Sequence, residues 1–234
     1  MTSQKFIGTG VAVTTPFKNN KKVDHDNLKK HILYLTENGI DYFVVLGTTG
    51  ESVTLSEEEK KDVVETFRNT NNGNLPIVLG MGGNHTEAVV NKVKNTDFRG
   101  IDAILSVAPY YNKPSQEGLY QHFKTIADNS SVPVILYNVP GRTGVNIAAE
   151  TIVRLAHDVE NIVAVKEASG SFSQAMHIIQ NKPDDFQVIS GEDALTLPLL
   201  AAGISGVISV VGNVYPRQFS RMINYALKND FQSA

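Results

Sequence analysis

Ile162-Val163-Ala164-Val165-Lys166-Glu167-Ala168-Ser169-Gly170-Ser171-Phe172-Ser173-Gln174 changes character twice in one short stretch. An apolar, β-branched run predicts a buried strand, and the Gly170 region predicts a turn. Ser171 with Gln174 then fits a capping box, in which two side chains satisfy orphan amides at the start of a helix. Strand, turn and helix in that order make half of a crossover unit, the connection that a parallel sheet requires.

The same order recurs along the chain. Strands are expected at Gly10 to Thr15, Tyr42 to Leu46, Ile77 to Met81, Ala103 to Val107, Val134 to Tyr137, Ile162 to Lys166, Gln187 to Ser190 and Gly206 to Val210. Helices are expected to begin near Asp24, Ser56, Thr86, Gln116, Ala148, Ser171, Asp193 and Arg217, with a second capping box at Ser56 and Glu59. Eight such units can close into a barrel in which every strand edge is paired. A doubly wound open sheet usually has fewer strands and a glycine-rich fingerprint. The expected fold class is therefore α/β, a (β/α)₈ TIM barrel. No Pro/Ser-rich linker or charge run divides the chain, so residues 1–234 read as a single barrel domain.

Composition narrows the function. Lys and Arg number 21 against 24 Asp and Glu, which leaves no cationic excess for a nucleic-acid backbone. The absence of Cys removes disulfides and thiolate chemistry and fits a cytoplasmic protein. The start, Met1-Thr2-Ser3-Gln4-Lys5-Phe6, has no apolar run of signal-peptide length, and no segment reaches the roughly 20 apolar residues that a membrane span needs. Gly80-Met81-Gly82-Gly83-Asn84-His85 sits where a dinucleotide loop would, but His85 stands at the final glycine of the fingerprint, and a tight turn is the reading. P-loop, Gly-x-Ser-x-Gly and zincin patterns are missing, and the six His lack metal-site spacing with carboxylates, so no metal is expected.

In a barrel of this kind, chemistry sits where strands end and strand-to-helix loops begin. Four such ends stand out. Gly47-Thr48-Thr49-Gly50-Glu51-Ser52 offers backbone N–H groups and hydroxyls suited to a carboxylate. Pro109-Tyr110-Tyr111-Asn112-Lys113-Pro114 follows the fourth strand, and Tyr137-Asn138-Val139-Pro140-Gly141-Arg142-Thr143-Gly144 ends the fifth. The sixth finishes in Lys166, which could reach solvent along its stem, join a structural ion pair, or serve as a reactive amine. Tyr137 ends the neighbouring strand and lies beside that amine if the register matches. Imine chemistry needs a neutral amine and hydroxyl groups to shuttle protons, roles open to Lys166, Tyr137 and Thr48. Tyr137 could equally pack in the core and the Thr pair cap a helix. Arg142 is either a surface residue or, if its loop covers the barrel mouth, a fork for a carboxylate.

These motifs, in their order and approximate spacing, resemble the dihydrodipicolinate synthase family from about Gly8 onward. The resemblance implies a 4-hydroxy-tetrahydrodipicolinate synthase, a lyase in which Lys166 forms a Schiff base with pyruvate. The enamine then attacks L-aspartate 4-semialdehyde, at the first committed step toward diaminopimelate and lysine. It further implies Tyr137, Thr48 and Tyr111 as a proton relay, with Tyr111 reaching in from a neighbouring subunit of a homodimer or homotetramer. Thr48 and Thr49 match the pyruvate-carboxylate contacts, Arg142 the receiver of the semialdehyde carboxylate, and Gly191 and Ile208 the pocket lining. No organic cofactor or metal is implied.

Related Schiff-base lyases acting on sialic or sugar acids share the lysine and the barrel, and Arg142 within Pro140-Gly141-Arg142-Thr143 favours the synthase. A barrel that binds a small carboxylate without catalysis is the alternative from another class. Two departures from the family stand out. Lysine-inhibited members carry a histidine pair where Glu57 and Lys60 stand here, and a nearby glutamate corresponds to Ala88, while Asn84 and Tyr110 remain. Weak or absent feedback by lysine is therefore expected. The family's usual C-terminal helical extension, which buttresses the barrel, is expected to be lacking after Ala234.

Overall fold

Side chains alternate across a strand, so a closed sheet must bury two apolar sets, one inside the barrel and one beneath its helices. The computed structural model describes residues 2–234. Its strands are β1 (Gly8–Ala12), β2 (Tyr42–Val45), β3 (Ile77–Gly80), β4 (Ala103–Val107), β5 (Val134–Asn138), β6 (Ile162–Glu167), β7 (Gln187–Ser190) and β8 (Gly206–Ser209). Each pairs in parallel with the next, and β8 returns to β1, closing the eight-stranded barrel. Seven crossover helices and one that follows β8 surround it: α1 (His25–Glu37), α2 (Glu57–Asn71), α3 (Thr86–Lys94), α4 (Gln116–Asp128), α6 (Ala149–Asp158), α7 (Phe172–Asn181), α8 (Thr196–Ala201) and, last, α9 (Pro216–Leu227). A one-turn helix, α5 (Pro140–Thr143), lies between α4 and α6.

Inside the barrel, Tyr42, Val44, Val78, Leu105, Ile135 and Ile189 pack together, and Phe6 plugs the lower end from a short 3₁₀ turn over Thr2–Phe6. The Phe6 and Tyr42 rings meet edge to face at 5.7 Å. The larger outer core joins the outward strand residues, such as Phe43, Ile104 and Val165, to Leu28, Phe67, Phe123 and Ile152 of the helices. The seam between β1 and β8 requires glycine. Gly206 has φ +151 and pairs with Gly8, and a Cβ at Gly206 would collide with the carbonyl oxygen of Gly8.

Most elements fall where the sequence pattern puts them, and three departures have local causes. The first strand begins two residues earlier and ends at Ala12, because Gly8 and Gly10 pair without carrying any apolar signal. Thr14 and Thr15 instead turn away, held by Asn213 Oδ1 at 3.2 Å and Gly50 O at 2.7 Å. The helix expected near Asp193 is a 3₁₀ turn over Asp193–Leu195 that leads into α8. The capping box at Ser56 and Glu59 is complete, but only half of the one at Ser171 forms. Gln174 directs its side chain to Asn146 and Glu167 instead. Among the described residues, no helix is long and apolar enough to cross a membrane.

Candidate active site

Register decides whether the amine and the phenol can meet. On β5 and β6, Tyr137 and Lys166 are Cα partners, so both side chains project into the barrel at its C-terminal end. The Lys166 Nζ lies 4.4 Å from the centroid of the Tyr137 ring. Both line a cavity of about 320 Å³ with Thr48, Thr49, Arg142 and Gly191, a size suited to a small metabolite.

Lys166 is only 5% exposed. Burial lowers its pKa to about 8; the charges of Asp193 and Glu192 oppose that shift, and Arg142 adds to it. An amine in this state is neutral in a large fraction at mildly alkaline pH. Burial also raises the Tyr137 phenol above its ordinary range, against the opposing influence of Arg142 and the Thr48 hydroxyl and with reinforcement from Glu192. Tyr137 is therefore a protonated donor near neutrality.

The loop after β2 is bent tightly, with Leu46 and Glu51 at positive φ and turn bonds from Gly50 N to Gly47 O and from Glu51 N to Thr48 O. Such backbone strain concentrates where a loop must present groups to a ligand. Arg142 reaches the cavity from α5, which starts at Pro140 and is stopped by Gly144 at φ +73. At Gly191 a Cβ would fall 2.5 Å from Ala168 Cβ and 3.0 Å from Lys166 Cε, so only glycine leaves the lysine stem its room.

Six of the residues singled out in the sequence thus converge: Lys166, Tyr137, Thr48, Thr49, Arg142 and Gly191. Two do not. Ile208 packs in the barrel interior below the cavity, and Val210 lines the wall there instead. Tyr111 stands away from the cavity of its own chain, 89% exposed at φ +75. Glu192, Asp193, Val139 and Ala168 also line the cavity. The first two follow β7 after Gly191, and the rule that strand ends carry chemistry would have found them had that end been weighed with the other four. Val139 and Ala168 carry no polar signal.

The chain matches the dihydrodipicolinate synthetase family over residues 5–234. It is 57% identical to a 4-hydroxy-tetrahydrodipicolinate synthase of Parabacteroides distasonis over 97% of this chain and 76% of that protein. Among solved structures it resembles a monomeric dihydrodipicolinate synthase variant with a TM-score of 0.95 at 41% identity, covering 98% of this chain and 77% of the other. The chloride-inhibited dihydrodipicolinate synthase of Acinetobacter baumannii, complexed with pyruvate, superposes with a TM-score of 0.93 at 41% identity over 97% and 77% of the two chains.

Proposed function

The chain belongs to the dihydrodipicolinate synthetase family, and we propose that its reaction runs through Lys166, Tyr137, Thr48 and Arg142 in the cavity described above. The activity is that of a 4-hydroxy-tetrahydrodipicolinate synthase, a lyase that joins pyruvate to L-aspartate 4-semialdehyde. The observation that carries the residue assignment is the buried Lys166 amine facing Tyr137 across matched strands.

The neutral Lys166 amine adds to the pyruvate carbonyl, and the carbinolamine loses one water to become an imine. Tyr137 protonates the departing hydroxyl, in a relay with Thr48. Thr48, Thr49 and the amides of their loop receive the pyruvate carboxylate. Loss of a proton from the pyruvate methyl gives an enamine, which attacks the aldehyde carbon as the aldehyde oxygen takes a proton. Arg142 holds the semialdehyde by its carboxylate, for which a planar guanidinium is matched. The semialdehyde's own amine then closes onto the imine carbon and expels Lys166, so the only small molecule released is the water of the first step.

Tyr111 completes the relay from a second copy of the chain in this reading, which makes the protein a homodimer or homotetramer. Its exposure, away from its own cavity, supports that role. The strands of one closed barrel run from Gly8 to Ser209, which supports reading residues 1–234 as one domain. A cytoplasmic location, expected from composition, belongs to the same reading.

Arg142→Ala is the test of the substrate assignment. It should raise the KM for the semialdehyde by about a hundredfold while the pyruvate KM moves little, a loss typical of a removed charged hydrogen bond. Collapse of pyruvate binding instead would refute the role given to Arg142.

A further inference from the structure

Tyr137 and Lys166 point into the barrel, so the next pair on the same strands, Asn138 and Glu167, points out of it. There Asn138 is fully buried and Glu167 is 5% exposed, in the layer between sheet and helices. A carboxylate in such a layer is costly unless its oxygens are hydrogen-bonded. Glu167 Oε1 accepts from the Ser169 N–H at 2.7 Å, and Oε2 accepts from Asn138 Nδ2 at 2.9 Å and Gln174 Nε2 at 3.0 Å. All these donors are neutral amides, so no opposite charge offsets the cost. Packing alone gives no reason for an acid at this position.

The partners supply one. Asn138 Nδ2 also donates to Asn146 Oδ1 at 2.8 Å, and Asn138 Oδ1 accepts from the Ile147 N–H at 3.0 Å. Asn146 Nδ2 in turn donates to Gln174 Oε1 at 2.7 Å. The segment 139–148 therefore leaves β5 and returns to the same buried cluster, with Arg142 between its two anchored ends. A side chain with acceptors only can receive all three donors on Glu167, whereas glutamine would turn an N–H group toward one of them.

We infer that Glu167 is a positioning residue: through Asn138, Gln174 and Asn146 it clamps both ends of the 139–148 loop and so places Arg142 over the cavity. This rests on the assignment of Arg142 to the semialdehyde carboxylate. The outward pair on these strands thus sets the position of Arg142 rather than of the inward pair.

The test is Glu167→Gln in the full chain, with both KM values, kcat and the borohydride-trapped pyruvate adduct measured. The semialdehyde KM should rise about tenfold, with the pyruvate KM within about twofold of the parent and the Lys166 adduct undiminished. Gln174→Met, on the partly exposed side of the cluster, should raise the same KM by about threefold. Unchanged semialdehyde KM in both variants would overturn the inference, as would an equal loss for both substrates, the pattern of a merely structural residue. If Glu167→Gln does not fold, Gln174→Met decides alone on the same criterion. An Arg142→Ala variant that raises the semialdehyde KM where the Glu167 and Gln174 variants do not defeats this inference only. If Arg142→Ala itself has no effect, the underlying assignment falls as well.

Discussion

An amine at an inward strand position loses its hydration shell, and at Lys166 that loss lowers the pKa from an ordinary 10.5 to about 8. The folded state thus binds its proton less readily than the unfolded chain does. The destabilisation is fully present below pH 8 and is relieved as pH rises from 8 toward 10.5. A shift of this size corresponds to about 3 kcal/mol. Lys166→Met, which replaces the amine by an apolar group of similar length, should therefore melt several degrees higher than the parent at pH 7, with the gap closing above about pH 10. Calorimetry across that range checks it, and a variant no more stable at pH 7 contradicts it. Adduct formation with pyruvate should fall about tenfold per pH unit well below 8, as the neutral amine is depleted. At this scale Lys166 was legible because a lysine ending an apolar strand is chemically out of place. Its contact with Tyr137 was not, because a one-residue slip would have turned either side chain outward, and register is fixed by pairing rather than by composition.

Whole elements were easier to read than their edges. The apolar runs of β2 to β8 and the polar caps at Ser56 and Ser171 each leave a local mark in the sequence. The one-turn helix α5 leaves none, since four residues carry no periodicity, yet it positions Arg142. The Glu167 cluster was equally hidden, because its members Asn138, Asn146, Gln174 and Glu167 come from separate elements. The start of α2 and the loop before α3 are where the family resemblance implies that lysine feedback would act. Glu57 pairs with Lys60 at 2.6 Å and with Lys92 at 3.9 Å, and Asn84 Nδ2 donates to Tyr110 O at 3.2 Å. Because Glu57 and Lys60 stand where the family resemblance implies a histidine pair in lysine-inhibited members, and Ala88 where it implies a glutamate, activity should be unchanged, within about twofold, in millimolar free lysine. Strong inhibition in a lysine titration would contradict this.

At the scale of the whole molecule, a closed barrel gathers the ends of β2, β5, β6, β7 and β8 into one mouth, bringing together residues from Thr48 to Val210. Tyr111 is the proposed member that its own barrel leaves outside. If it serves a neighbouring copy, a Lys166→Ala chain and a Tyr111→Phe chain, each poorly active alone, should recover activity when unfolded together and refolded. In a mixed dimer the Lys166 of one chain meets the Tyr111 of the other. Recovery no greater than that of the separately refolded chains would place Tyr111 outside the relay. The central claim is that the Lys166 amine forms the bond to pyruvate. Borohydride reduction in the presence of pyruvate, read by intact-mass spectrometry and peptide mapping, should place one pyruvate-derived adduct per chain on Lys166 and none on a Lys166→Ala chain. Folded protein that gains no adduct, or gains it on another lysine, would contradict the account.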